Sequence, residues 1–164
     1  NRKGLIAACI YNACKIKNVP RSHKEIAKIF DIDVKHMTRG CKKFDEMMSY
    51  SKSEKTTIQI TGSKSKDFIH RFCSKLKIGD SILSICEHIC DKAEEYSLVS
   101  ENTPPSITAG AIYLISNLLN LNISKNQIKD VSGISEVTIS KCYKKLLHYH
   151  KHILPEHMLN KLYN

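Results

Sequence analysis

The sequence predicts an all-α protein built from two tandem copies of one helical unit. Three observations lead to this fold class. Apolar residues recur at helical spacing through most of the chain. Helix-capping patterns precede several of these segments. A stretch near the start of the chain also returns, in recognisable form, near its end.

The internal copy is seen when the chain is shifted by 102 positions, which places Ala7–Phe44 over Ala109–Leu146 without a gap. Nine positions are then identical: Ala7/Ala109, Ile10/Ile112, Tyr11/Tyr113, Asn18/Asn120, Ser22/Ser124, Ile26/Ile128, Ile32/Ile134, Lys42/Lys144 and Lys43/Lys145. Solenoid repeats recur every ~20–50 residues, so a period this long predicts a duplicated domain. The alternative is coincidence in a chain rich in Lys and Ile.

The first copy predicts three helices. Apolar residues at helical spacing mark the first of them: Leu5, Ile6, Cys9, Ile10, Ala13 and Cys14. A loop containing Pro20 ends this helix. Ser22 followed three residues later by Glu25 is a capping-box pattern, which predicts the start of a short second helix. Asp33 is the predicted cap of a third.

The second copy repeats this plan with two further helices before it, Asp67–Leu76 and Asp80–Leu98. Its own three helices are predicted from Ser106 to Leu119, over Lys125–Ser132, and over Glu136–His148. Ser124 with Gln127 repeats the capping box, Gly133 suits a sharp turn, and Ser135 is the predicted cap of the last helix.

These elements predict the domain organisation. Residues 1–50 form a partial first repeat with only its last three helices. Residues 51–65, rich in Ser, Lys and Thr, form a linker, and residues 66–164 form a second repeat plus a C-terminal helix. Because the chain begins with Asn1 rather than Met, we expect it to be a piece of a longer protein. If the copies are true duplicates, two further helices precede it.

Charge predicts a polyanionic partner. The net charge is +10, of which residues 1–62 carry +7, and such a surplus favours nucleic acid or an acidic protein surface. The short helix, turn and helix at 125–148 form a candidate helix-turn-helix, whose second helix can enter a DNA major groove.

The predicted DNA-binding residues lie on this helix-turn-helix. They are Ser124, Lys125, Val137, Thr138, Ser140, Lys141 and Lys144. Lys141 and Lys144 suit phosphates, the hydroxyls of Ser124 and Thr138 lie near helix N-termini, and Val137 suits a thymine methyl group. The alternative is an ordinary solvated helix rich in lysine.

Several segments resemble the two cyclin-like repeats of transcription factor IIB. Gly4–Cys14 (GLIAACIYNAC) and Val19–Ile26 (VPRSHKEI) are similar to the first repeat. Those similar to the second are Phe68–Leu76 (FIHRFCSKL), Thr103–Tyr113 (TPPSITAGAIY) and Gly133–Tyr143 (GISEVTISKCY). The resemblance covers essentially the whole chain in order and implies tandem cyclin-like folds, the first without its N-terminal helices.

The resemblance also implies partners. These are the TATA-binding protein, promoter DNA and an RNA polymerase II-type enzyme, the last engaged through N-terminal segments absent from this chain. Val137 and Thr138 match the family's recognition helix, but animal members have Arg where this chain has Ser140, which puts strong sequence preference in doubt. Lys15, Lys35 and Arg39 match basic positions that we expect to face the TATA-binding protein or nearby DNA. The implied location is the nucleus, or a viral transcription site.

Other kinds of site are disfavoured. No two of the seven cysteines form a C-x-x-C pair, and we expect them to be reduced thiols in the core. His148, His150 and His152 alternate along the chain and do not share a helix face, so we expect no metal. There is no phosphate-binding glycine loop or nucleophile motif, and no membrane-spanning apolar run. We therefore expect neither catalysis nor a cofactor.

Three alternatives to a factor IIB-like core stay open. One is the IIB-related subunit of the RNA polymerase III initiation factor, which has the same repeats. Another is a cyclin-type module that regulates a kinase through an exposed apolar face. The third is a helix-turn-helix protein that binds DNA without the TATA-binding protein.

Overall fold

The computed structural model describes residues 2–50 and 62–163, all of whose regular elements are helices. The predicted all-α fold class is therefore confirmed. Most of the predicted linker, residues 51–61, lies outside the described residues. The chain divides into two compact units, Asn1–Ser63 and Lys64–Asn164, and each is described separately below.

Unit 1 contains the three helices predicted for the first copy. They are α1 (Arg2–Ile16), α2 (His23–Ile29) and α3 (Val34–Tyr50). Its small core consists of Ala7, Ile26, Ala27 and Met37. Helix α1 packs mainly against α3 through small residues, and Gly4 and Gly40 meet so closely that a methyl group on Gly40 would collide with the Gly4 carbonyl.

Unit 2 contains seven helices among its described residues. They are α4 (Lys66–Lys75), α5 (Asp80–Glu95), α6 (Pro104–Leu118), α7 (Lys125–Ser132), α8 (Glu136–His148), α9 (His150–Ile153) and α10 (Glu156–Tyr163). Helix α6 is central and contacts α4, α5, α7 and α8. The two prolines predicted to precede this helix lie inside its first turn, where no backbone N–H is needed.

Both predicted capping boxes are present. In unit 1 the Ser22 backbone N–H donates to Glu25 Oε2 at 2.7 Å, and the Glu25 N–H donates to Ser22 Oγ at 3.2 Å. In unit 2 the corresponding bonds between Ser124 and Gln127 are 2.8 and 3.2 Å. The side chains thus satisfy backbone donors that the first turn of each helix leaves without partners.

Equivalent helix ends adopt the same left-handed conformation. Asn18 and Asn120, an identical pair in the internal copy, have φ of 56° and 52°. Asp31 and Gly133, also equivalent, have φ of 49° and 70°. A left-handed residue lets the chain reverse direction while the last carbonyls of the helix accept hydrogen bonds, and Asn, Asp and Gly tolerate it best.

Helix α1 leaves several of its apolar residues exposed. Ile6 and Ile10 are each 45% exposed, and Cys9 and Ala13 are exposed as well, whereas Gly4, Ala7, Ala8 and Asn12 are buried. In unit 2 the equivalents of Ile10 and Ala13 are Ile112 and Ile115, which are buried in α6. Helices α4 and α5 cover α6 in that unit, and no described element of unit 1 takes their place.

The expectation of core thiols holds for four cysteines, since Cys73, Cys86, Cys90 and Cys142 are buried. Burial raises the pKa of Cys90 to about 12 and that of Cys142 to about 11, because a thiolate is poorly solvated inside the protein. Cys9 is exposed, and Cys14 and Cys41 are half-buried.

Candidate nucleic-acid interface

The helix-turn-helix is formed by α7 and α8, with the predicted bounds of both helices confirmed. The left-handed Gly133 ends α7. Ile134 then turns into the core, 6% exposed, and its N–H donates to Ser132 Oγ at 3.1 Å. Ser135 begins α8 by accepting the Thr138 N–H at 3.3 Å. These contacts hold the turn in place and so fix the position of α8 relative to α7.

Helix α8 has a sharply divided surface. Ile139, Cys142 and Leu146 are fully buried, and the ring of Tyr143 lies edge-on to Tyr113, with centroids 5.0 Å apart. The opposite face carries Val137, which is 65% exposed, and the exposed Lys141 and Lys144. The predicted outward face is therefore accessible to a partner.

Carboxylates neutralise some of the neighbouring lysines but not those on the outward face. Lys129 Nζ lies 3.5 Å from Glu136 Oε1, and Lys145 is ion-paired with Glu101. Among the residues that the structure describes, neither Lys141 nor Lys144 has an acidic partner within 4.0 Å. Their positive charge remains available for phosphates.

Lys125 lies across the helix-turn-helix instead of pointing away from it. Its ammonium donates to Ser140 Oγ at 3.3 Å and lies 5.8 Å from the centroid of the Tyr113 ring. The contact joins the first residue of α7 to the middle of α8. Lys125 and Ser140, both half-buried, are thus brought together on the predicted DNA face.

The two predicted hydroxyl contacts also have local roles. Ser124 Oγ accepts the Gln127 N–H in the capping box, which leaves its own proton free to be donated. Thr138 Oγ1 lies 2.9 Å from Ser135 Oγ, and either atom can be the donor. Both side chains lie at helix N-termini, where the helix dipole favours an anion.

The other end of α8 is less suited to a polyanion. A cavity of 510 Å³ opens there, lined by Leu98, Lys144, Lys145, His148 and Tyr149. Lys145 is already paired, and the last carbonyls of a helix carry partial negative charge. The part of α8 from Val137 to Lys144 is therefore the better surface for DNA.

Unit 1 presents a second basic face. Lys35 and Arg39 are exposed one turn apart on α3, opposite the buried Met37 and Gly40. Lys15 lies elsewhere, half-buried on α1, with its ammonium 4.7 Å from the centroid of the Tyr11 ring. Two of the three predicted protein-contact residues thus share a surface, and the third belongs to another cluster.

That cluster surrounds His23. Its ring lies tilted against that of Tyr11, with centroids 4.4 Å apart, and its Nε2 lies 3.7 Å from Cys41 Sγ. Burial, and then the charge of Lys15, lower the pKa of His23. Burial also raises the pKa of Cys41, with Asp45 adding to the rise. Both groups therefore favour their neutral forms.

Sequence reasoning missed two features of the site. The ion pairs of Lys129 and Lys145 were not predicted, because Glu136 lies across the turn from Lys129 and Glu101 is distant in sequence from Lys145, so only folding brings the partners together. The α2–turn–α3 segment repeats the arrangement of α7 and α8, with Arg39 in the place of Lys141. The internal copy, seen when the chain is shifted by 102 positions, could have predicted this second helix-turn-helix.

Within the described residues, no three His, Cys, Asp or Glu side chains are grouped so that they could hold a metal ion. None of the helices described here has both the length and the apolar character needed to cross a membrane.

Comparison with known proteins points to one family. The transcription factor TFIIB repeat matches residues 1–47 and 58–149. A transcription initiation factor IIB-like protein of Acanthamoeba polyphaga mimivirus is 38% identical over 167 residues, which cover 99% of this chain and 36% of the relative. Transcription initiation factor IIB of Dictyostelium discoideum is 34% identical (93% of this chain, 45% of the relative), and transcription initiation factor IIB 1 of Thermoplasma volcanium is 35% identical (88% and 44%). The chain spans less than half the length of each.

Proposed function

The chain belongs to the transcription factor TFIIB repeat family, and from this premise we propose that it binds a preformed complex of the TATA-binding protein with promoter DNA. This binding helps to recruit an RNA polymerase II-type enzyme. The chain acts as a binding module and not as a catalyst. Its place of action is the nucleus or a viral transcription site.

The observation that carries the proposal is the outward face of α8. Lys141 and Lys144 are exposed and lack acidic partners among the described residues, while Lys129 and Lys145 beside them are neutralised. A helix that presents free ammonium groups around an exposed Val137 has the chemistry of a major-groove reader. Lysines bind phosphates, and the apolar side chain contacts a base.

The face of α3 supports a second contact. Lys35 and Arg39 form an exposed basic pair on unit 1. We assign these two residues to an acidic surface of the TATA-binding protein or to the DNA next to it. Lys15 is assigned a supporting role, because its ammonium lies over Tyr11 and close enough to His23 to lower the pKa of that ring.

The exposed apolar face of α1 is the feature that a kinase-regulating module would need. Ile6, Ile10 and Ile16 are each 45% exposed. Their equivalents in unit 2 are Thr108, Ile112 and Leu118, which are buried or packed against the core of that unit. This comparison indicates that the face is one that packs against other elements within a repeat, and not one that docks a kinase. The kinase-regulating alternative is therefore not adopted.

Gel-shift titrations test the proposal. The chain is titrated onto a promoter fragment alone and onto the same fragment carrying the TATA-binding protein. We expect weak binding to DNA alone and strong binding to the preformed complex. Equal affinity for both would instead identify an independent helix-turn-helix protein. Binding to a matched fragment from an RNA polymerase III promoter is measured as well. It distinguishes a factor IIB-like core from the IIB-related subunit of the RNA polymerase III initiation factor.

A further inference from the structure

Three of the four buried cysteines of unit 2 lie together where α4 packs against α5. Cys73 is in α4, Cys86 and Cys90 are one turn apart in α5, and all three are fully buried. The side chains of Cys73 and Cys86 are hydrogen-bonded to each other. That of Cys90 is hydrogen-bonded to Ser65 instead. The proposed binding of promoter DNA uses none of these thiols.

The hydrogen bond makes the two paired thiols unequal. The S–H group of Cys86 donates to Cys73 and stabilises its thiolate, which lowers the pKa of Cys73. The same contact, together with burial, raises the pKa of Cys86. The thiolate is the form of cysteine that attacks an oxidant, whereas the neutral thiol is inert. Cys73 therefore has the larger thiolate fraction, and a second thiol lies beside it.

Cys73 lies near the end of its helix. Helix α4 ends at Lys75, and the Cys73 carbonyl accepts the N–H of Ile78, in the turn that follows, at 2.9 Å. Lys77 in this turn is exposed and has a left-handed backbone, with φ of 57°. Helix ends and turns open locally at a lower free energy than the centre of a core. A peroxide, little larger than a water molecule, can therefore reach Cys73 without global unfolding.

We propose that Cys73 and Cys86 are a peroxide-sensitive thiol pair, which oxidises to a disulfide that joins α4 to α5. First, the Cys73 thiolate attacks one oxygen of hydrogen peroxide. The S–O bond forms, the O–O bond breaks, and hydroxide leaves and is protonated to water. Next, the Cys86 sulfur attacks the sulfenic acid of Cys73. The S–S bond forms, and the oxygen leaves as water with the Cys86 proton. Two thiols are oxidised, and one peroxide is reduced to two waters.

This disulfide would connect the two helices that cover α6. A cross-link of this kind restricts the unfolded chain and so favours the folded state. Oxidation should therefore raise the midpoint of urea unfolding, and dithiothreitol should lower it again, because thiols reverse a disulfide by exchange. The pair thus couples the stability of unit 2 to the redox state of its surroundings, independently of the proposed function.

Peptide mapping of the whole folded chain tests the proposal. The chain is treated with hydrogen peroxide, catalase removes the excess, and the remaining thiols are blocked with N-ethylmaleimide in urea. Trypsin, which cleaves after Lys and Arg, leaves Cys73 on peptide 72–75 and Cys86 on peptide 78–92. We expect these two peptides to be joined and to separate in dithiothreitol. Cys142 is the internal control and should be found blocked, because burial raises its pKa to about 11.

Two variants identify the partner of Cys73, since Cys90 is also on peptide 78–92. Cys86→Ala should abolish the joined peptides. Cys90→Ala, the matched control one turn along the same helix, should retain them. Circular dichroism and the unfolding midpoint show whether each variant is folded, and the map of the wild-type chain stands without either of them.

Two results would overturn the proposal and leave the proposed function untouched. One is a Cys73 thiol that is still free after treatment, in a sample where the exposed Cys9 has been oxidised and the peroxide was therefore active. The other is a joined peptide that survives in Cys86→Ala, which would make Cys90 the partner.

Discussion

Gly110 of α6 lies so close to Cys142 of α8 that a Cβ atom on the glycine would be 2.6 Å from Cβ of the cysteine. Helices α6 and α8 make one of the most extensive helix contacts in unit 2. Because α8 carries the candidate DNA face on its other side, the missing side chain at Gly110 sets how deeply that helix lies against the core. The packing of α6 against α8 therefore also sets the position of the candidate DNA face.

Gly110→Ala should therefore destabilise unit 2. The added methyl group meets a fully buried side chain and forces the helices apart, and overpacking of this kind costs about 1–3 kcal/mol. We expect a lower midpoint of urea unfolding. Gly62→Ala is the control, because a Cβ there meets nothing within 4 Å and the residue is exposed outside the helices. It should change the free energy of unfolding by no more than about 0.5 kcal/mol.

A second change tests the cause. Cys142→Gly removes the Cβ atom that the new methyl group would strike. The equivalent position in unit 1 is already a glycine, Gly40. Combined with Gly110→Ala, it should cost less than the sum of the two single changes, as a double-mutant cycle would reveal. Strict additivity would mean that the two positions do not clash.

Lys141 and Lys144 should determine the salt dependence of DNA binding. Each phosphate contact contributes about 0.9 to the slope of log affinity against log salt concentration. Lys141→Ala and Lys144→Ala should each lower this slope by roughly one when binding to the preformed complex is measured between ~50 and 200 mM salt. Lys129→Ala and Lys145→Ala, whose lysines are ion-paired, should change it less. Equal effects in all four variants would contradict the assignment.

Charge reversal on α3 should weaken assembly through unit 1. Lys35→Glu and Arg39→Glu each place a carboxylate where a basic group faces the proposed acidic surface, and we expect about a tenfold loss of affinity, mainly in the association rate. Lys28→Glu makes the same change of charge at an exposed lysine on α2 instead of α3 and serves as the control. Full retention of affinity in both α3 variants would remove these residues from the interface.

His23 should make unit 1 sensitive to mild acid. Its pKa is lowered from 6.5 in the folded chain, first by burial and then by Lys15. Below about pH 6.5 the unfolded state therefore binds a proton that the folded state resists, and the free energy of unfolding falls as the pH falls. Proton NMR titration should place the pKa of His23 below 6.5. Lys15→Met should raise it, whereas Lys17→Met, at an exposed position just after the end of α1, should not.

His23→Gln removes the titrating group while keeping a polar side chain of similar reach. The loss of stability between pH 6.5 and 5 should then be smaller than in the wild-type chain. If the slope of stability with pH is unchanged, another group is responsible for it.

Local patterns allowed much of the fold to be predicted. The capping boxes at Ser22 and Ser124 and the turn at Gly133 depend on residues within a few positions, so their chemistry is readable from the chain. The predicted all-α, cyclin-like repeats agree with the family to which the chain belongs. Several of the apolar residues that mark α1 in the sequence are exposed, because periodicity shows that a face is apolar but not whether another element covers it.

The helices, the internal duplication and the outward residues of α8 could be read from the sequence, because short-range hydrogen bonding and periodicity govern these features. Which lysines keep their charge available follows instead from the way the elements pack. Lys129, Lys145 and Lys125 resemble Lys141 in the sequence, yet folding brings two of them to carboxylates and the third to Ser140. Such pairings depend on how separate elements pack against each other, which local patterns along the chain do not show.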